Sequence, residues 1–235
     1  MLLDVFGLGT LRMSTTPLDP IQTELAWSDF LSNRIGCVLA LILGLVFIVD
    51  YIRIFPDLLV CLSRAKGNIS LEHSISLART RTALAICMAV PFCLVVDRNS
   101  LFHPSFWGDI KAGWSILFVA ALLGAYIILK LALALLCKPR KLSGDNAAAV
   151  RNTAFNYYLI TVPLMLVSAG ICSFAGIGSK AANIVLLSEM GLTFLLRILR
   201  EVEISRAQCT GFSTFLYLCA FEILPAGILI FLSTR

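Results

Sequence analysis

Glu222 lies at the centre of a 22-residue apolar run, residues 212–233. A carboxylate at such depth in a hydrocarbon layer is costly unless it is paired or protonated. Its chemistry is therefore proton binding, a substrate contact, or a buried hydrogen bond that fixes helix packing. Asp50, Lys130, Glu189 and Arg197 also fall within apolar runs. At a rise of about 1.5 Å per residue, Glu189 lies within roughly 3 Å of the depth of Glu222, on the outer side. Lys130 and Asp50 lie roughly 7 Å inward, and Arg197 roughly 9 Å inward, by the same rise. Two carboxylates and two bases at similar depths are expected to pair across a bundle. Lys130 and Arg197 have stems long enough to snorkel instead toward the interface. Glu189 and Glu222 are too short for that, so they lead the candidates for a polar core. A structural partner for Glu222 would be Tyr217, Ser188 or a backbone carbonyl freed by Pro225. Asp50 has a local alternative in Arg53, three residues on along the same helix.

Other chemistry lacks its residues. The chain has no H-E-x-x-H, no G-x-S-x-G, no P-loop and no dinucleotide-binding glycine fingerprint. Its only histidines, His73 and His103, fall in predicted loops, where a pair of haem ligands is not expected. The eight cysteines form no C-x-x-C pair and read as small packing residues. The expectation is no metal, no cofactor and no catalytic residue. Arg197 and Arg200, with Glu201 and Glu203, form a cytoplasmic basic cluster at a helix end. It is the sole support for a lipid-acting enzyme, and such a cluster is more often a solvated face.

The elements that must hold these groups are transmembrane helices. The composition is 59% hydrophobic and 14% charged, against about 25% charged residues in a soluble domain. The apolar residues come in blocks separated by short basic stretches, so the expected fold is all-α, a polytopic membrane bundle of about six helices. The expected spans are 36–55 (extending toward Cys61), 78–96, 113–137, 157–177, 181–200 and 212–233, within a single domain at 36–235. Pro91, Pro163 and Pro225 fall inside spans and mark expected kinks. Ser168, Cys172 and Gly176 form a small-residue stripe that permits close helix approach. In the first basic loop, 63–81, Ser70 is a candidate N-cap for a short helix with Leu71 and Ile75 on one face. Residues 1–35 read as a tail. Asp19, Pro20 and Gln22 signal a helix start, with Ile21, Leu25, Leu31 and Ile35 on one face; it either lies in the interface or extends the first span. No cleavable leader is expected, because Met1–Phe6 lacks a basic region.

Of the 19 Lys and Arg residues, 13 fall on one side of this topology or toward that end of a helix, and six on the other. The positive-inside rule then places both termini outside. Phe102, Phe106, Trp107 and Trp114 cluster at the second outer loop, as an interfacial belt does. The basic loops fit topology and contact with anionic lipid in the bilayer, and imply no nucleic acid.

The region Leu195–Pro225 carries a Leu-Arg-Ile-Leu-Arg-Glu-Val segment and the run Phe-Leu-Tyr-Leu-Cys-Ala-Phe-Glu-Ile-Leu-Pro, residues 215–225. It resembles the end of a family of small polytopic inner-membrane proteins of Bacteroidota, of unknown function. That family ends in a similar aromatic-Tyr-Leu-Cys-x-x-Glu-Ile-x-Pro run. The resemblance implies a bacterial inner-membrane location and singles out Tyr217, Glu222 and Pro225. It implies no activity. Three functions remain open: a non-enzymatic scaffold or accessory subunit of an envelope complex with membrane-protein partners, a small proton-coupled transporter, and a lipid-acting enzyme. The lack of catalytic motifs favours the first.

Overall fold

The computed structural model describes residues 27, 30–102, 114–136, 144–206 and 219–227. Every element among them is helical: α1 Leu31–Ser63, α2 Ala65–His73, α3 Ile75–Cys87, α4 Ala89–Arg98, α5 Ser115–Leu136, α6 Gly144–Phe174, α7 Ser179–Arg206, and a π-helical turn Cys219–Ile223. Five helical stretches are long and apolar enough to cross a bilayer: Leu31–Ser63, Ile75–Arg98, Ser115–Leu133, Ala148–Phe174 and Ser179–Arg206. The expected sixth span, 212–233, lies mostly outside the described residues, as do the helix start at Asp19 and the aromatic belt at Phe106 and Trp107.

α1 has 33 residues and is about 50 Å long, well beyond the roughly 30 Å of a hydrocarbon core. It starts at Leu31, so residues 31–35 continue the first span. It also runs unbroken through Pro56. Its middle faces outward, with Leu41, Leu45 and Val49 exposed, as a lipid-facing helix requires. Its C-terminal end is packed: Ile54, Leu58 and Cys61 join Leu71, Leu84, Ala85 and Leu159 in one buried cluster.

The first basic loop differs from its reading. It folds as two helices, α2 and the start of α3. Ser70 lies inside α2, where its hydroxyl donates to Gly67 O at 3.0 Å, so it is no N-cap. Leu71 is buried while Ile75 is exposed, so they share no face. The corner is tight at Gly67: a Cβ there would stand 2.8 Å from the backbone of Val60 and Cys61.

The second span breaks at Met88, between α3 and α4. Pro91 sits in the first turn of α4, where a missing N–H leaves no intrahelical bond unmade. Tyr158 donates to Met88 O at 3.1 Å and ties this joint to α6. Pro163 stands within an unbroken α6. It cannot donate to Leu159 O, and Tyr51 from α1 does so at 3.2 Å. A neighbouring helix thus satisfies the carbonyl that proline frees.

α6 is the hub: it packs on α1, α2, α3 and α4, and most extensively on α7. Along the small-residue stripe, Ser168 bonds across to Glu189 on α7 and Cys172 is buried. Gly176 has a different task. It sits past the end of α6 at φ +65°, with Gly176 N–H bonded to Ser173 O and Ile177 N–H to Cys172 O. That is a Schellman cap, for which the absent Cβ is the reason.

Candidate functional site: an ion cluster inside the bundle

α5 carries Lys130, α7 carries Arg197 and Glu201, and the π turn carries Glu222. Each is placed by local rules. On α7 the buried residues Ala182, Leu186, Thr193, Arg197, Glu201 and Ile204 recur every three to seven residues and so form one stripe facing the bundle. Arg197 and Glu201, four residues apart, share that face. Pro225 has no N–H to continue the helical ladder, and the π turn falls just ahead of it, with Glu222 inside.

Glu222 is the centre of the cluster. Lys130 Nζ pairs with its Oε1 and Arg197 Nη2 with its Oε2. Arg197 Nε also faces Glu201 Oε1 at 3.4 Å. Two cations meet two anions, so the formal charge balances. The side chains are 18% exposed for Lys130, 10% for Arg197, 6% for Glu222 and 1% for Glu201. At that burial each charge depends on the others for its solvation. Aromatic rings complete the setting: the Tyr126 ring centroid is 5.7 Å from Lys130 Nζ, and the Phe194 centroid 5.0 Å from Arg197 Cζ, both within cation–π range.

The other expected site residues lie elsewhere. Glu189 is bonded to Ser168 and does not reach Glu222. Asp50 is half-buried on α1, and no ion pair with Arg53 occurs among the described residues. Tyr217 lies outside the described residues. Neither Lys130 nor Arg197 snorkels, because each has a carboxylate partner within reach. Arg197 and Arg200 do not act together either. Arg200 turns to the C-terminal end of α1, donating to Leu62 O at 3.0 Å and Ser63 O at 2.9 Å, and pairs with Glu203 at 2.7 Å. It caps the last carbonyls of that helix.

Sequence reasoning passed over Glu201, grouping it with the solvated Glu203. The signal for it was its place on the stripe of Leu186 and Arg197, from which Glu203 departs. A second polar network was also missed. Asn156 donates to Asn68 Oδ1 at 2.8 Å, Asn68 to Cys61 O at 3.3 Å, and Glu72 accepts from both Arg81 and Asn152 at 2.7 and 2.8 Å. It locks α1, α2, α3 and α6 together where α1 ends.

Beside the ion cluster lies a cavity of about 550 Å³, walled by α4, α5, α6 and α7. Phe92, Leu122, Tyr126, Tyr158 and Phe194 contribute to its walls, and Arg197 and Ala226 lie at the cluster end. Among the described residues no group of His, Cys, Asp and Glu is arranged to hold a metal ion.

No protein-family model matches the chain, nor does any curated protein or solved structure. Fold and site nevertheless define its class. It is an all-α, multi-pass integral membrane protein with a charge-balanced ion cluster inside the bundle.

Proposed function

We propose that the chain is a proton-coupled carrier of the bacterial inner membrane, with Glu222 as the group that binds the coupled proton. The observation that supports it is the pairing of Glu222 with both Lys130 and Arg197 beside a cavity wide enough for a small molecule. A carboxylate held by two cations can exchange one partner for a proton, and the π turn ahead of Pro225 is a place where the backbone can shift with that exchange. The resemblance of Leu195–Pro225 supports the inner-membrane location. The Lys and Arg distribution supports both termini outside.

The test is complementation of a strain lacking the chromosomal copy, with Glu222→Gln and Glu222→Leu and with protein level followed by blotting. The carrier reading expects normal protein and lost function for Glu222→Gln. Full complementation by that variant would remove its main support.

The accessory-subunit reading has its own observation. Almost none of the most apolar stretch of α1 is covered by the rest of the bundle. That face suits lipid, and it also suits a partner helix in an envelope complex. A pull-down of the full chain that recovers no stable membrane partner would count against it.

A further inference from the structure

We propose that the cavity between α4, α5, α6 and α7 binds a neutral, rod-like amphipathic lipid whose head carries a hydrogen-bond-accepting oxygen, seated at Arg197. This rests on the carrier reading and names its cargo class.

The shape argues for the rod. On α7 the wall runs from Leu187 to Arg197, a length of about 15 Å along the helix axis. The volume of about 550 Å³ falls within the 300–1,000 Å³ of small-molecule sites. The walls are aliphatic and aromatic over most of this length, which suits an isoprenoid or acyl chain or a planar ring.

The polar end argues for the acceptor. A guanidinium has five N–H groups. In Arg197 the Nε side faces Glu201 and Nη2 faces Glu222, while no described group takes Nη1. Two nearby hydroxyls are already spent as donors: Tyr158 gives its proton to Met88 O and Tyr157 to Cys61 O. Among the described residues that line the cavity Arg197 alone is charged, and it asks for an oxygen.

The charge balance argues for neutrality. Lys130 and Arg197 are matched by Glu201 and Glu222, so an ionised head would bring an uncompensated charge between apolar walls, at several kcal/mol per ion. A carbonyl or hydroxyl brings none.

The test uses the full chain in lipid nanodiscs. Equilibrium binding is measured for a tritiated decyl-substituted benzoquinone, which is neutral, and for dodecyl phosphate, which is an anion with a comparable tail. Gly191→Leu supplies a filling variant: Gly191 lines the cavity, and a Cβ there meets nothing within 4 Å. Saturable binding of the quinone, weaker binding of the phosphate, and a loss of about tenfold or more in Gly191→Leu are expected. If Gly191→Leu is not produced, Leu187→Trp on the same wall is expected to give the same loss. Tighter binding of dodecyl phosphate, unchanged affinity in the filling variant, or no saturable binding overturns the proposal. Quinone binding in a protein whose Glu222→Gln variant fully complements would sink the carrier reading and leave the site standing. Glu222-dependent function without quinone binding would sink the cargo class alone.

Discussion

Lys130 and Glu222 illustrate what a buried ion pair does to a bundle. Removing Lys130 alone leaves two carboxylates to share Arg197, while removing Lys130 and Glu222 together restores the charge balance, with Arg197 left to Glu201. Lys130→Met alone is expected to cost about 3–5 kcal/mol, as single deletions from buried pairs do. Lys130→Met combined with Glu222→Met is expected to recover a large part of that loss. Thermal unfolding of the purified single and double variants in detergent checks both. A double variant no more stable than Lys130→Met would mean that Arg197, not Lys130, is the partner that solvates Glu222. Much of this was legible in residue types, since acids and bases at similar depth are bound to seek one another. The choice of partners was not. Glu189 and Glu222 look alike by depth, but only the crossing of α7 with the π turn brings one of them to Arg197. Glu189 meets Ser168 because α6 and α7 lie against each other there.

Among the elements, the α1–α2 corner depends most on a single residue. Gly67 backs onto the main chain of Val60 and Cys61, and a backbone wall cannot rotate away. Gly67→Ala is therefore expected to open the corner and cost about 1–3 kcal/mol, the range for overpacking a close contact. The melting temperature would fall, and the Asn68–Asn156 bond across the corner would loosen with it. A Gly67→Ala protein with unchanged melting would mean that the corner is not as close as described. The long helices were readable from their apolar blocks, because hydrocarbon thickness sets their length. The corner was not, because Ser70 satisfies the rule for an N-cap equally well whether or not a helix already runs past it. The joint at Met88 shows the same limit. A proline announces that a ladder is interrupted, but the turn in which the chain bends depends on which neighbour supplies a donor.

At the scale of the whole molecule, cross-links at each end fix the up-and-down order. Arg98 reaches Ser173 at one end, while Arg200 reaches Leu62 and Ser63 and Asn152 reaches Glu72 at the other. Residues 73 and 180 therefore lie at opposite ends of the bundle. With the Lys and Arg bias, His73→Cys is expected to react with a membrane-impermeant maleimide only after permeabilisation, and Lys180→Cys in intact spheroplasts, each measured against the parent protein. Reversed labelling would invert the proposed orientation, and labelling of both in intact cells would contradict the alternation itself.

The chain by itself determined that it would be helical and membrane-embedded. Hydrocarbon leaves no other way to satisfy a backbone within 20 apolar residues, and charge is tolerated there only in company. Tertiary structure alone decided the company. Whether Glu222 would meet Tyr217, a freed carbonyl or a cation depended on the rotation and crossing of helices that are more than 20 residues apart in sequence. Those are set by close contacts such as Gly67 on Val60 and Tyr51 on Leu159, which no hydropathy pattern encodes.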